Sequence, residues 1–200
     1  MINKFNCDYP CDGIMKEIIY PKIELEPDKI TTVIISECPT ENASDYFYNS
    51  DTGTFFENTK VIFNDAGITI SSYDDLLNMG IYLTTALKCR KLDYLVSAKT
   101  IKECSLRFLK RELEQFPNIK VILCMGDFAI KAVNYIYNDK YKSRVIEAGA
   151  TYKIRNREHI SHEIRFFPSY THTGDSFNIE KSKRKMIVED IKNAFIYLSK

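Results

Sequence analysis

Short apolar runs alternate along the chain with longer amphipathic segments. Four of the runs are rich in β-branched or aromatic residues and have polar or Pro-containing borders, a pattern typical of buried strands. They are TTVIIS (31–36), IYLTTALKC (81–89), NIKVILCMG (118–126) and EIRFFPSY (163–170). None is long enough to be an independent helix, so we interpret all four as strands.

The segments between these runs have apolar residues at helical spacing. One helix is expected to close on Gly67, and another to begin near Ser97 or Thr100. DFAIKAVNYIYN follows the third strand, and SKRKMIVEDIKNAFIYLSK predicts a closing helix. Strands that alternate with helices predict a three-layer α/β/α fold with a central, mostly parallel four-stranded sheet. Ligands bind such sheets beyond the carboxyl ends of the strands, so the candidate site is expected there.

Length and composition fit one domain over residues 1–200, with an irregular segment over 1–29 that contains three prolines. The chain is 44% hydrophobic and 28% charged, which is typical of a globular protein. No apolar run reaches the roughly 18 residues that a membrane span requires. The first residues contain no apolar signal-peptide core, so we expect a cytoplasmic monomer.

Charge is unevenly distributed although the net charge is only +1. Residues 41–75 hold seven acids and one lysine, whereas 140–157 hold six bases and one acid. A further four bases lie in KSKRK at 181–185. This asymmetry is consistent with a local basic face that binds nucleic acid, or with an ordinary solvated surface.

Cysteine is the residue type with the clearest chemical implication. The chain has six cysteines and no export signal, which argues against disulfides and favours metal binding or catalysis. Four thiolates can close a site around iron or zinc. The alternative is a set of buried, inert cysteines, the interpretation we give to Cys38 and Cys124. The four candidate ligands are Cys7, Cys11, Cys89 and Cys104.

Several segments, taken in order, resemble the iron–sulfur uracil-DNA glycosylases of family 4. The segments are IISECPTE, TGTFF, YLTTALKCRK, IKECSLRFLKREL, VILCMGDFAIKA and FFPSY, and with the cysteines they extend over nearly the whole chain. The resemblance implies a [4Fe–4S] cluster held by the four candidate cysteines. One departure is the spacing C-x-x-x-C at Cys7 and Cys11, where the family usually has C-x-x-C.

The resemblance also implies roles for residues near the strand ends. Glu37 stands at the acidic position and is expected to activate water, and Phe56 is expected to stack on a flipped base. Thr85 stands where the family has a base-reading asparagine, and Phe167 where it has a histidine. Because Phe167 cannot donate a hydrogen bond, His172 is the candidate to supply the missing catalytic group.

Further residues are expected to contact substrate or DNA. Pro39 follows the acidic position and lines the expected pocket, while Ser169 is expected to contact the base or a phosphate. The basic run is expected to bind DNA phosphates through Lys181, Lys183, Arg184 and Lys185.

The function implied by the resemblance is that of a DNA glycosylase. Such an enzyme hydrolyses the N-glycosidic bond of a flipped base, uracil or another modified base, in single- or double-stranded DNA. Two alternatives stay open. One is a catalytically inactive iron–sulfur module on the same fold that binds nucleic acid or a partner. The other is a zinc-bound structural protein unrelated to DNA.

Overall fold

The computed structural model describes residues 7–19, 21, 23–92, 95–173 and 176–199. The strands are β1 (Ile14–Ile18), β2 (Thr32–Ser36), β3 (Ile81–Thr85), β4 (Cys89–Lys91), β5 (Val121–Met125), β6 (His159–Ser161) and β7 (Ile164–Ser169). The helices are α1 (Thr54–Asp65), α2 (Tyr73–Asn78), α3 (Ala98–Cys104), α4 (Lys110–Leu113), α5 (Asp127–Tyr141), α6 (Thr151–Ile154), α7 (Ser176–Ile179) and α8 (Lys181–Leu198). A π-helical segment, Ser105–Leu109, joins α3 to α4.

The central sheet has the strand order β3-β2-β5-β7-β6. The first four strands are parallel, which confirms the mostly parallel sheet and the four predicted strands. The predicted strand count was one too low, because β6 pairs antiparallel with β7 as a fifth strand. With only three residues, β6 has no sequence pattern that distinguishes it from a loop.

The predicted strand over 81–89 was too long, because the chain leaves the central sheet after Thr85. Residues 86–88 form a turn, and β4 then pairs antiparallel with β1 in a separate two-stranded sheet. Ile18 lies opposite Cys89 in this small sheet, and the Leu92 amide donates to the Gly13 carbonyl at 2.8 Å. The N-terminal segment is thereby attached beside the turn that follows β3.

Two apolar clusters cover the two faces of the central sheet and confirm the three-layer arrangement. Val33, Ile35 and Cys124 face the layer that holds α3 and α5, whereas Ile34 and Leu123 face the layer of α1 and α8. Strands β2, β3 and β5 are buried along their whole length, as expected for parallel strands covered on both faces. No helix among the described residues is long and apolar enough to cross a membrane.

Candidate active site and thiolate pocket

The carboxyl ends of the parallel strands meet at one edge of the sheet. The amides of Ala86 and Leu87 donate to the carbonyls of Ser36 and Glu37 at 2.8 and 3.0 Å, which joins the ends of β3 and β2. The chain passes from β2 to β3 on one side and adds β5 on the other side. The topological switch point therefore lies between β2 and β5, which is where open parallel sheets bind ligands.

Glu37 lies at this switch point. Its carboxylate faces the turn from β5 into α5, where a Phe128 N–H points at Oε1 over a long 3.5 Å. Gly126 in that turn has φ +102°, and a Cβ there would meet Glu37 Oε1 at 2.7 Å. Burial raises the pKa of Glu37, while Lys91 and the Phe128 amide act in the opposite direction. A half-buried carboxylate with a raised pKa is a suitable proton acceptor for general-base chemistry.

Thr85 ends β3 beside this edge, but its hydroxyl is already occupied. It donates to the Leu87 carbonyl at 2.6 Å, and the Tyr46 hydroxyl lies 3.0 Å from it. Both side chains are buried, and burial raises the pKa of Tyr46. Tyr46 comes from the loop between β2 and α1, so this loop covers the position expected to read a base.

Phe56 is buried in the core, not exposed where it could stack on a flipped base. It lies on α1 and is 1% exposed, with its ring edge-on to Tyr73 at 4.8 Å. Phe47, which precedes α1, contacts Tyr46 with ring centroids 5.4 Å apart and stacks on His172 with ring centroids 6.2 Å apart and an angle of 22°. Pro39 is buried in the first turn of the same loop.

His172 is fully buried rather than open to substrate. Its Nε2 lies 3.2 Å from Thr59 Oγ1, and its Nδ1 has no hydrogen-bond partner among the described residues. Burial lowers its pKa to about 4, so the ring is neutral at physiological pH. The structure therefore gives His172 no imidazolium with which to stabilise a departing base.

Phe167 and Ser169 also differ from the expected placement. Phe167 lies within β7 opposite Leu123, in the core layer of α1 and α8, with the Arg165 guanidinium 4.9 Å from its ring centroid. Ser169 is buried and donates its hydroxyl to Asp190 Oδ2 at 2.6 Å. Phe56 and Phe167 are both buried in the core layer of α1 and α8, so neither ring is exposed at the sheet edge as expected.

The four candidate cysteine ligands border one pocket, between the β1–β4 sheet and α3. Burial is the main cause that raises the pKa of Cys89 to about 12, followed by the nearby thiolates of Cys104, Cys7 and Cys11. None of the four forms a disulfide with another described residue. In the part of the chain that the structure describes, no three Cys, His, Asp or Glu side chains are grouped closely enough to hold one metal ion. The thiols line this pocket together with eight other residues, and its cavity volume is about 20 Å³.

A comparison with protein-family models matches the chain to the uracil-DNA glycosylase superfamily over residues 24–192. The chain belongs to the uracil-DNA glycosylase superfamily. The match begins after Cys7 and Cys11, so it does not include two of the candidate cluster ligands. A search of curated proteins found no match.

Of the four basic side chains in the run 181–185, two form ion pairs with neighbouring acids and two do not. Lys183 pairs with Glu180 at 2.6 Å, and Arg184 pairs with Asp65 at 2.5 Å. Lys181 and Lys185 are exposed and form no ion pair with a described residue. Half of the predicted phosphate contacts are thus already occupied by neighbouring carboxylates.

Five residues that shape the sheet edge and the thiolate pocket were not identified from the sequence. Tyr46 and Phe47 lie in a polar loop without periodicity, so no pattern indicated that their rings were buried. Lys88 and Glu112 had a usable signal, because each charge interrupts an apolar run or an apolar helix face. Asp190 interrupts the apolar face of α8 in the same way.

Proposed function

We propose that the chain is a DNA glycosylase that hydrolyses the N-glycosidic bond of a flipped base. Membership of the superfamily supports an activity on DNA, and the single observation that carries the proposal is the position of Glu37. Its half-buried carboxylate has a raised pKa and lies at the switch point of the sheet, beside the start of α5. A second acid with the same combination of position and environment is not found among the described residues.

The chemistry assigned to Glu37 is removal of a proton from water. The water oxygen bonds to C1′ of the sugar while the bond from C1′ to the base nitrogen breaks, and the base departs with the electron pair. Glu37 takes the proton that the water loses. Its raised pKa makes the carboxylate a stronger proton acceptor than an exposed glutamate.

The proposed base contacts are Thr85 and Phe47, which replace the predicted pair of Thr85 and Phe56. Both side chains contact Tyr46, whose hydroxyl lies 3.0 Å from Thr85 Oγ1 and whose ring centroid lies 5.4 Å from that of Phe47. A flipped base reaches them when Tyr46 leaves Thr85. The base identity is left open, because a threonine hydroxyl does not select one base edge as an amide does.

We further propose that the chain is close to the iron–sulfur family 4 enzymes, with a [4Fe–4S] cluster held by Cys7, Cys11, Cys89 and Cys104. The donor set suits this group, because four cysteine thiols, the residue type that holds iron–sulfur clusters, border one pocket. When bound, the cluster would link the N-terminal segment, β4 and α3 covalently through the four cysteines. The catalytic steps are assigned to side chains at the sheet edge.

A panel of oligonucleotides tests the proposed activity. Anaerobically purified, iron-replete protein is incubated with single- and double-stranded DNA that contains uracil, hypoxanthine, xanthine or a modified cytosine, and abasic sites are cleaved with alkali. We expect strand cleavage at one class of base and none in undamaged DNA. Absence of abasic sites on every substrate would contradict the proposal.

The second candidate is a catalytically inactive binding module, and a specific observation favours it. Tyr46, Phe47, Thr85 and His172 are buried against one another, so the base contacts are closed by the protein's own side chains. This candidate predicts salt-dependent DNA binding without abasic sites on any substrate. The same oligonucleotides, used in a binding titration, separate the two functions.

A further inference from the structure

A buried ion pair lies between the thiolate pocket and the candidate active site. Lys88 and Glu112 are 8% and 5% exposed, and the Lys88 ammonium donates to Glu112 Oε2. Lys88 directly precedes Cys89 and lines the pocket that the four cysteines share. Glu112 lies on α4, which continues through the π-helical segment from the helix that ends at Cys104.

All three donors of the Lys88 ammonium are occupied. Besides Glu112, they reach Thr84 Oγ1 at 2.7 Å and the Thr85 carbonyl at 2.8 Å. Glu112 Oε1 in turn accepts from the Tyr82 hydroxyl at 2.6 Å and from Thr84 Oγ1 at 2.9 Å. The pair therefore ties three segments together: the end of β3, the turn before β4, and α4.

Stability alone does not explain such a pair. The cost of removing two charges from water often exceeds their attraction, and apolar residues of similar volume stabilise a fold equally well. Buried ion pairs are better suited to fixing one relative position of the segments that they join. The segments joined here adjoin two of the cysteines, since the turn directly precedes Cys89 and α4 continues from the helix that ends at Cys104. A turn of irregular backbone needs such fixing more than a strand does.

We propose that the Lys88–Glu112 pair positions the thiolate pocket, because it holds the turn that precedes Cys89 against α4, which continues from the helix that ends at Cys104. Lys88 and Glu112 are positioning residues and bind no iron themselves. This inference rests on the proposed cluster. In this proposal the pair keeps the metal group bound and fixes the position of Thr85 relative to that group.

The test is iron retention in Glu112→Gln, which keeps the shape of the side chain and removes its charge. Reconstituted protein is mixed with an iron chelator, and the loss of absorbance near 400 nm (an approximate expectation for thiolate-bound iron) is followed over time. Loss of such a supporting contact typically weakens metal binding by about 10–100-fold, so we expect iron release at least about ten times faster than in the wild type.

A matched control is available in the Arg155–Asp190 pair. It is also buried, its N–O distance is 2.8 Å, and neither member lines the thiolate pocket. Asp190→Asn removes a buried charge as Glu112→Gln does, and we expect it to destabilise the fold while iron release stays at the wild-type rate. Circular dichroism of each variant shows whether it is folded at the temperature of the assay.

A second variant covers the case in which Glu112→Gln fails to fold. Lys88→Met combined with Glu112→Leu replaces both charges with apolar groups, and we expect folded protein that still releases iron faster than the control. Wild-type protein that takes up no iron would overturn the cluster and this inference together. Loaded wild type whose iron release matches that of the pair variants would overturn this inference alone.

Discussion

At the residue scale, most of the expected site residues already contact other side chains of the protein. His172 contacts Thr59, Thr85 contacts Tyr46, and Ser169 contacts Asp190. Glu37 differs from these three because its carboxylate faces backbone amides, with the Phe128 N–H at a long 3.5 Å, and because burial raises its pKa. A carboxylate with a raised pKa is a stronger proton acceptor, which is why the proposed chemistry rests on Glu37.

The buried state of His172 predicts a pH-dependent contribution to stability. Its pKa is about 4 in the folded chain against an ordinary value of 6.5, so between these values the unfolded chain binds a proton that the folded chain does not. The free energy of unfolding therefore falls as the pH drops from 6.5 to 4, by up to about 3 kcal/mol.

The comparison with His172→Gln isolates this contribution. Asp190, whose pKa is raised to about 6, has the opposite sign, since the folded chain gains stability as that carboxyl is protonated below pH 6. Both proteins contain Asp190, so its effect cancels in the difference between their urea-unfolding free energies. We expect that difference to shrink from pH 7 to pH 4. A difference that stays constant over this range would mean that His172 is not buried as a neutral ring.

At the element scale, the turn from β5 into α5 determines where the Glu37 carboxylate lies. Gly126 has φ +102°, and its missing Cβ leaves the space that Glu37 Oε1 occupies. The helix that follows presents the Phe128 amide to the same oxygen. A side chain at Gly126 would therefore displace the carboxylate as well as strain the backbone.

Gly126→Ala should lose activity for a reason that Gly67→Ala does not share. Gly67, after α1, also has a positive φ of +89°, but a Cβ there would meet nothing within 4 Å. Both variants should lose about 1–2 kcal/mol of stability from backbone strain. Only Gly126→Ala should also lose base excision, by roughly 10²-fold, because it moves the carboxylate. Equal excision rates in the two variants would separate Glu37 from the chemistry.

The start of α8 is the element that we expect to contact DNA phosphates, through its two exposed and unpaired lysines. Lys181→Glu and Lys185→Glu should each reduce the slope of log affinity against log salt by about 1, with no dependence on sequence. Lys192→Glu, an exposed position near the other end of the same helix, is the control and should leave the slope unchanged. Equal slopes in all three variants and the wild type would assign the basic run to a solvated surface.

Most of the sheet could be predicted from the sequence because its parallel strands are continuous apolar runs. TTVIIS and VILCM form strands that are buried on both faces, so they are continuous apolar, β-branched runs, which distinguishes them from loops. The antiparallel partner β6 and the β1–β4 sheet could not be predicted. Their strands are short and partly exposed, and their pairing depends on where the chain turns after Thr85.

The site was less predictable than the sheet, because residues of the same type that are close in sequence have different surroundings in the fold. Phe47 and Phe56 are both aromatic residues near the start of α1, and only the path of the loop places Phe47 beside His172. The burial of Ser169 depends on Asp190, which is distant in sequence and lies on α8. Glu37 was predictable because a residue directly after a central parallel strand can lie only at the sheet edge.

At the scale of the whole molecule, two candidate sites lie at opposite ends of one short segment. Thr85 ends β3 at the active-site edge, and Cys89 begins β4 at the thiolate pocket. The Lys88–Glu112 pair fills the space between them. The superfamily fold thus brings the proposed catalytic edge and the proposed cluster within a few residues of each other, although the first two cysteines come from a different part of the chain.

The measurement that tests the central claim most directly is single-turnover base excision by Glu37→Gln on the substrate that the oligonucleotide panel identifies. The glutamine keeps the size of the side chain and removes the proton acceptor, so we expect excision to fall by roughly 10²–10⁴-fold. DNA affinity should not weaken, because loss of a negative charge adds no repulsion from phosphates. A Glu37→Gln protein that excises the base at the wild-type rate would contradict the assignment of Glu37 and, with it, the mechanism proposed for this chain.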